Sequence, residues 1–338
     1  MRGVRKSFHR LSLAMSVLWL LFARTGPFEA MAPDDFPIRN IVTGLTYAVL
    51  QDAINANETL DGHTITVDAG IYNVSAFVIN KSVSVVGEGR ETTILRGSVS
   101  YEFIGIFSVS ADNVTIAGFT IQDGYWGIHL YSNYVHIANC TVRNNRSGIV
   151  SGPRAGAFGG NTIEGSIIAD NVIVGIDLMT SNNIIYNNII SGNRVGINVV
   201  STQDKTSGTV ISGNTIKNNQ IGCQIAISYN NVVFHNNFLN NTIQASSPTG
   251  DINEWDDGYP SEGNYWSDYN GTDADHDGIG DSPYVISTSD QDHYPLMAEY
   301  VIPEYPMGLI IAFFTMALLL AVAVWKKKES DLAIRIRL

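Results

Sequence analysis

From about residue 105 to 245, short apolar runs dominated by Ile and Val alternate with short polar turns rich in Asn and Gly. The runs return in a fixed order. A Gly-Ile-x-apolar start recurs at Gly127-Ile128-His129-Leu130, Gly148-Ile149-Val150, Gly175-Ile176-Asp177-Leu178, Gly196-Ile197-Asn198-Val199 and Gly222-Cys223-Gln224-Ile225, at spacings of 21, 27, 21 and 26 residues. Further along each unit a second apolar pair begins at Cys140, Asn188, Asn214 or Asn237 and ends in another turn. Side chains alternate in and out along these stretches, the period of a strand. Units of 20 to 30 residues fit either a leucine-rich repeat or a parallel β-helix. No L-x-x-L-x-L frame is present and no unit has room for a helix, so the pattern predicts a right-handed parallel β-helix, with Ser82–Val86 and Thr92–Arg96 in its earlier coils. Apolar Tyr47, Leu50 and Ile54 at helical spacing predict a capping helix over 45–56. Residues 245–303 are irregular and are expected to cover the last coil.

The register makes finer expectations. Asn188, Asn214 and Asn237 should stack inward as an amide ladder, with Cys140 in the same row. Cys223 takes an inward Ile position four coils later, about 19 Å from Cys140 along the axis. That distance excludes a disulfide, which needs Cα atoms within about 7 Å. Both cysteines are expected to be inert core residues.

Composition sharpens this picture. The chain has 338 residues with 38 Ile and 30 Asn, is 45% hydrophobic and 15% charged, and carries a formal charge of −12. Those values exclude a disordered or collagen-like chain, a disulfide scaffold and a basic nucleic-acid binder. The charge is uneven: residues 31–303 hold 28 of the 32 acids, and 12 of these lie between Asp251 and Asp292, where no Lys or Arg occurs. Arg2, Arg5, Lys6 and Arg10 precede an uncharged run at 11–23, and Ala30-Met31-Ala32 offers a cleavage match, so 1–32 reads as a secretory signal. Residues 307–325 are uncharged and are followed by Lys326, Lys327 and Lys328. At ~1.5 Å per residue the run spans about 28 Å, enough for one transmembrane helix with a cytoplasmic tail. The expected organisation is signal (1–32), capped N-terminal segment (33–60), β-helix (61–245), acidic aromatic tail (246–303), and anchor with tail (304–338). Such a chain would sit on the outer face of the cell membrane.

Two features could carry chemistry. In Asp273-Ala274-Asp275-His276-Asp277-Gly278-Ile279-Gly280-Asp281, oxygen donors at positions 1, 3, 5 and 9, a turn Gly at 6 and a carbonyl from Ile279 at 7 follow the start of a calcium loop. Position 12 is Tyr284 and not a bidentate Glu, so a single extracellular-type calcium site is expected at Asp273, Asp275, Asp277, Ile279 and Asp281. The second feature is a column. If Ile128 and Leu130 point inward, His129 points outward, followed coil by coil by Val150, Asp177, Asn198 and Gln224, with Trp126 and Tyr125 at the upper end. Longer loops at 152–160 and 201–208 should project beside it. A groove with polar rungs and aromatics suits an extended glycan, bound through Trp126, His129, Asp177, Asn198 and Gln224. His129 and Asp177 are about 10 Å apart, too far for a hydrogen-bonded dyad. Eight N-x-S/T sequons occur, of which Asn145, Asn240 and Asn270 fall on turns expected to be exposed.

Leu50-Gln51-Asp52-Ala53-Ile54-Asn55, Ile71-Tyr72 and Lys81-Ser82-Val83-Ser84-Val85-Val86-Gly87, followed by Asn-rich coils, resemble the NosD-like β-helix family of the pectin-lyase superfamily. Gly263-Asn264-Tyr265-Trp266-Ser267-Asp268-Tyr269 and His293-Tyr294-Pro295-Leu296 resemble the tails of archaeal members, and Pro303-Glu304-Tyr305-Pro306 resembles archaeal surface anchors, with Tyr305 where Phe is usual. The resemblance implies the fold more firmly than the activity, since this superfamily hosts lyases, hydrolases, epimerases and binding modules. The reading it leaves first is a surface-anchored β-helix that binds glycan or serves adhesion. The alternatives are a polysaccharide lyase or glycoside hydrolase acting on the helix face, and a NosD-type copper-maturation accessory protein. The last needs clustered imidazole or thiolate donors, whereas the histidines are scattered along the chain.

Overall fold

Each repeat unit closes one turn of a coil in the computed structural model, which describes residues 37–98, 104–152, 159–200, 206–248 and 252–301. The coil is a right-handed parallel β-solenoid of about eight turns. Its three walls are sheets of ten, nine and eight strands, here called A, B and C. One turn reads Ile184–Tyr186 in A, Ile189–Ser191 in B and Val195–Val200 in C. Inward side chains stack on their own kind: Ile137, Ile163, Ile185 and Ile211 down A, and Ile128, Ile149, Ile176 and Ile197 down C. All eight are buried. At roughly 1.5–3 kcal/mol for each large side chain buried, these stacks are the main driving force for the coil.

The corners explain the two residue types that accompany Ile. At each tight corner one residue adopts the left-handed conformation and the next turns inward, as in Asn187 (φ 55°) before Asn188 and Asn144 (φ 54°) before Asn145. Asn tolerates the first position better than other non-glycine residues. At the second, its amide spans neighbouring coils: Asn188 accepts from Ser166 N–H, and its Nδ2 donates to Ile163 O (2.9 Å), Tyr186 O (3.0 Å) and Asn214 Oδ1 (3.0 Å). Three such ladders run along the axis. The A–B corner carries Asn188, Asn214, Asn236 and Asn264. The B–C corner carries Asn145, Asn171, Asn193, Asn219 and Asn241. The C–A corner carries Asn161, Asn183, Asn231 and Asn253, interrupted by Thr209. The predicted ladder is therefore right in kind and one residue out at its end. Asn236 holds the ladder position because His235 takes the left-handed turn, whereas Asn237 starts the next strand and bonds Tyr300.

Glycine is fixed near the start of five C strands by contact between coils. A Cβ at Gly127, Gly148, Gly175, Gly196 or Gly222 would lie 2.4–2.7 Å from a carbonyl oxygen of the next coil. Cys140 stands in the A–B ladder row, and Cys223 pairs with Ile197 in sheet C. Both are free and buried, and burial pushes each thiol up to about 12.

Both ends are closed. The capping helix is shorter than predicted, α1 (Leu50–Asn55), because Thr46–Tyr47 forms a strand antiparallel to Ile38–Asn40, which in turn covers the edge at Thr64–Val67. Leu50, Ala53 and Ile54 plug the first coil, and Gln51 bonds both the N–H and the C=O of Val78 on the edge of sheet C. At the other end the coil pattern runs past residue 245, with Tyr265–Trp266 as the last strand of sheet B. Trp266 stacks between Phe238 (4.3 Å) and Tyr284 (4.2 Å). Two ladders end on acids: Asp290 receives Asn253 N–H, and Asp292 receives Asn264 N–H (2.7 Å) and the Trp266 indole (2.8 Å). A terminal rung needs only to accept, which a carboxylate does. Burial pushes the Asp292 carboxyl up to about 6.

Among the described residues no helix is long and apolar enough to cross a membrane; the runs 11–23 and 307–325 lie outside them.

The ladder sets an expected outcome for stability. Asn214→Ala leaves the buried backbone N–H of Asn188 without an acceptor and removes a donor from the carbonyls of Ile185 and Ser212, the second of which keeps Asn187 N–H. At roughly 1–3 kcal/mol for an orphaned buried donor, it should cost about 2 kcal/mol in denaturant unfolding. Asn187→Gly, at the half-buried left-handed corner before the ladder, should stay within about 0.5 kcal/mol of the parent. Equal losses at the two positions would contradict the ladder's role.

Candidate functional site

The outward column on sheet C is in register as predicted. His129 pairs with Val150, Val150 with Asp177, Asp177 with Asn198 and Asn198 with Gln224, each step one coil of about 4.8 Å. The column is longer than the sequence suggested, with Val78 and Ser108 above His129 and Ser246 below Gln224. Strand pairing places these residues, and the glycine corner before each strand fixes which of them face out.

Its chemistry is graded from top to bottom. His129 faces outward yet is 4% exposed, wedged between Trp126 (centroids 4.2 Å) and Tyr131 (3.8 Å). A Cβ at Gly152 would lie 3.0 Å from its Nε2, so glycine there leaves room for the ring. Burial lowers the imidazole to about 4, so it is neutral near pH 7, and its Nδ1 has no hydrogen-bond partner among the described residues. Tyr125 packs edge-on to Trp126 (5.5 Å), with the Arg146 guanidinium 5.1 Å above its ring. The sequence expectation missed Tyr131, although alternation by two from His129 puts it on the same face. Lower down, Asp177 and Asn198 are half-buried and joined by an Asn198 Nδ2 to Asp177 Oδ1 bond of 2.7 Å. Burial raises the Asp177 carboxyl and this bond opposes the shift. Gln224 is half-buried at the lower end. Of the flanking loops, residues 153–158 and 201–205 lie outside those described; beyond the second, Thr206–Ser207 pairs with Ser228–Tyr229.

The acidic loop is folded as a unit. Asp273, Asp275 and Asp277 bring one carboxylate oxygen each within 4.8 Å of one another. Gly278 N–H donates to Asp273 Oδ2 (3.1 Å) and Ile279 N–H to Asp277 Oδ1 (2.8 Å), while Asp273 Oδ1 is buried without a partner among the described residues. Asp281 is used differently: its Oδ2 receives Thr272 Oγ1 (2.9 Å) and Ala274 N–H (3.0 Å), closing the loop. Ile279 bridges to Leu296 and docks the loop on the end of the coil.

Among the other described histidines, His63 is held by Asn40, His136 by Glu164, His235 against Tyr300 and His293 by Asp256, while His276 stands exposed in the acidic loop. Of the sequons expected on exposed turns, Asn240 and Asn270 are exposed, but Asn145 is fully buried in the B–C ladder. The turn there exposes Asn144 and sends the next side chain inward.

With this geometry in hand, comparison with known proteins adds lineage. The family described as "Periplasmic copper-binding protein (NosD)" matches residues 56–271. A cell surface glycoprotein of Methanothermus fervidus is 32% identical over 117 residues, which are 34% of this chain and 18% of that relative. The chain thus spans less than a fifth of that protein's length. Among solved structures, the A-module of the Azotobacter vinelandii mannuronan C-5 epimerase AlgE4 is 18% identical over 58% of this chain and 66% of that one, with a TM-score of 0.43. An alginate lyase from Paenibacillus sp. str. FPU-7 is 15% identical over 61% and 94%, with a TM-score of 0.35.

The buried imidazole sets a pH dependence. An unfolded His binds its proton near pH 6.5, whereas His129 in the fold does so only near pH 4. Its contribution is therefore whole above pH 6.5 and lost as pH falls from 6.5 towards 4. The melting temperature of His129→Phe should fall less over that interval than the parent's; parallel curves would show that His129 is not buried neutral.

Proposed function

The chain belongs to the NosD family, and we propose that it is a surface-displayed β-helix that binds an extended glycan along the sheet C column. The observation that carries this reading is the column itself: an aromatic cluster at Tyr125, Trp126 and Tyr131, then half-buried Asp177, Asn198 and Gln224 at one-coil intervals. Aromatic faces pack on sugar rings, and a carboxylate with two amides answers a run of hydroxyls. The leader at 1–32 and the anchor at 307–325 read from the sequence supply display on the outer face of the membrane.

Binding without cleavage is the favoured chemistry. Paired carboxylates for glycoside hydrolysis must lie roughly 5–9.5 Å apart, and Asp177 is the column's single acid. His129 above it lacks a hydrogen-bonded acid to orient it as a base. The copper in the family's description is not matched by the donors among the described residues. Copper favours imidazole and thiolate, yet the cysteines are buried thiols and no cluster of imidazoles occurs among the described residues. The carboxylate trio instead suits a hard cation. Calcium held by Asp273, Asp275 and Asp277 with the Ile279 carbonyl, in a loop closed by Asp281, would steady the tail between coil and membrane.

A panel of neutral and acidic polysaccharides offered to the detergent-solubilised full chain, with both binding and chain length measured, tests the main reading. Retention of at least one polymer at constant length is expected, and Trp126→Ala or Asp177→Ala should weaken it tenfold or more, about 1.4 kcal/mol. Shortened chains would establish the enzyme reading instead, and no retention by any polymer would contradict binding. For the loop, EDTA should lower the melting temperature of the parent and leave that of Asp275→Ala unchanged; equal melts of the parent with and without EDTA would contradict calcium.

A further inference from the structure

The coil geometry sorts the eight sequons. Asn145 is unusable in the folded chain: its Nδ2 donates to Ile121 O (3.1 Å), Arg143 O (2.9 Å) and Asn171 Oδ1 (3.2 Å), and its side chain is wholly buried. At Asn57 the third residue is withheld, since Thr59 is buried, donates to Ala53 O (2.7 Å) and accepts from Asn40. The other six, Asn73, Asn80, Asn113, Asn139, Asn240 and Asn270, are exposed. None of the six uses its side-chain amide in a hydrogen bond among the described residues. Asn113, Asn139 and Asn240 occupy left-handed corner positions (φ 58°, 49° and 54°), which present the amide at the tip of a turn.

Their distribution is uneven. No sequon falls between Asn145 and Asn240, the stretch that carries Val150, Asp177, Asn198 and Gln224. This is not for want of suitable corners. Asn182, Asn187, Asn218 and Asn230 have the same left-handed backbone (φ 53–57°), exposed at all but half-buried Asn187, but two residues on stand Ile184, Ile189, Gln220 and Val232 in place of a hydroxyl. The recognisable sites therefore flank the middle coils on both sides. The bare interval from Val150 to Gln224 covers three coil steps, about 14 Å.

We propose that Asn73, Asn80, Asn113, Asn139, Asn240 and Asn270 carry N-linked glycan and that Asn57 and Asn145 do not, leaving the middle coils and their column uncovered. The donor is a lipid-linked oligosaccharide. The asparagine Nδ2 bonds to C1 of its first sugar, the C1–O bond to the lipid phosphate breaks, and the proton lost by the amide leaves with the phosphate. No oxidant or reductant is needed. The modification rests on the export contained in the proposed function, so the test reads location separately.

The full-length chain, expressed with its own leader in a host that makes lipid-linked oligosaccharide and transfers it to N-x-S/T, is probed with protease on intact cells and mapped by glycopeptide mass spectrometry. Protease access, sugar on the six turns and an unmodified Asn145 peptide are expected. Thr242→Ala, which removes the hydroxyl from the Asn240 sequon at an exposed position, should abolish sugar at Asn240 alone. A chain reached by protease yet bare at the six sites would overturn this proposal and leave the surface reading standing. A bare chain shielded from protease would overturn both. Sugar on Asn145 to the same extent as on the six would overturn the claim that the fold selects the sites.

Discussion

The hydrogen bond from one coil's corner to the buried asparagine of the next is the constraint on which the structure depends. Parallel coils packed through Ile and Val alone could slide, because neighbouring inward side chains are nearly alike. An amide placed inside a corner removes that freedom. It must meet a backbone N–H of the coil before it and give its own protons to two carbonyls, and a displaced register would leave all of them unpaired in a dry interior. Once the ladders fix the corners, the coils approach closely enough that only glycine fits near the start of five C strands. The outward column follows from that register, since strands aligned at the corner are aligned at every position beyond it. The candidate binding face is in this sense a by-product of the buried amides.

Much of this was legible in the sequence because the repeat marks inward and outward positions redundantly. The Gly-Ile starts located sheet C, and alternation then placed His129, Val150, Asp177, Asn198 and Gln224 in one column. Composition was also informative: 13 asparagines fill ladder positions and eight more take left-handed corners, together 21 of the 30 in the chain. The errors arose where two neighbouring residues could each take the ladder place. Asn236-Asn237 and Asn144-Asn145 are such pairs, and which member turns inward depends on which residue before it goes left-handed, a choice made by the corner as a whole. What alternation could not show was depth. His129 faces out, but Trp126, Tyr131 and Gly152 enclose it, so direction and access came apart.

The two ends show how a stack of this kind is finished. The first coil is plugged by α1, and its open edge is met by the Gln51 side chain acting as a surrogate peptide group. At the other end, with no further coil to accept hydrogen bonds, Asp290 and Asp292 replace the next asparagine. Such closure matters for a protein read as displayed at a cell surface, since an open β-helix end would recruit other edges. The acidic loop docks beyond that terminus through Ile279 and Leu296.

The central claim, that buried corner amides hold the coils in register, is tested most directly by hydrogen exchange at the side-chain amides themselves. The Nδ2 protons of Asn188, Asn193, Asn214 and Asn219 should be protected as strongly as the backbone N–H groups of the strands they join, exchanging only when the coil opens as a whole. Exchange of those four at the rate of exposed Asn182 or Asn230 would show the ladders to be loosely held, and the register would then need another cause.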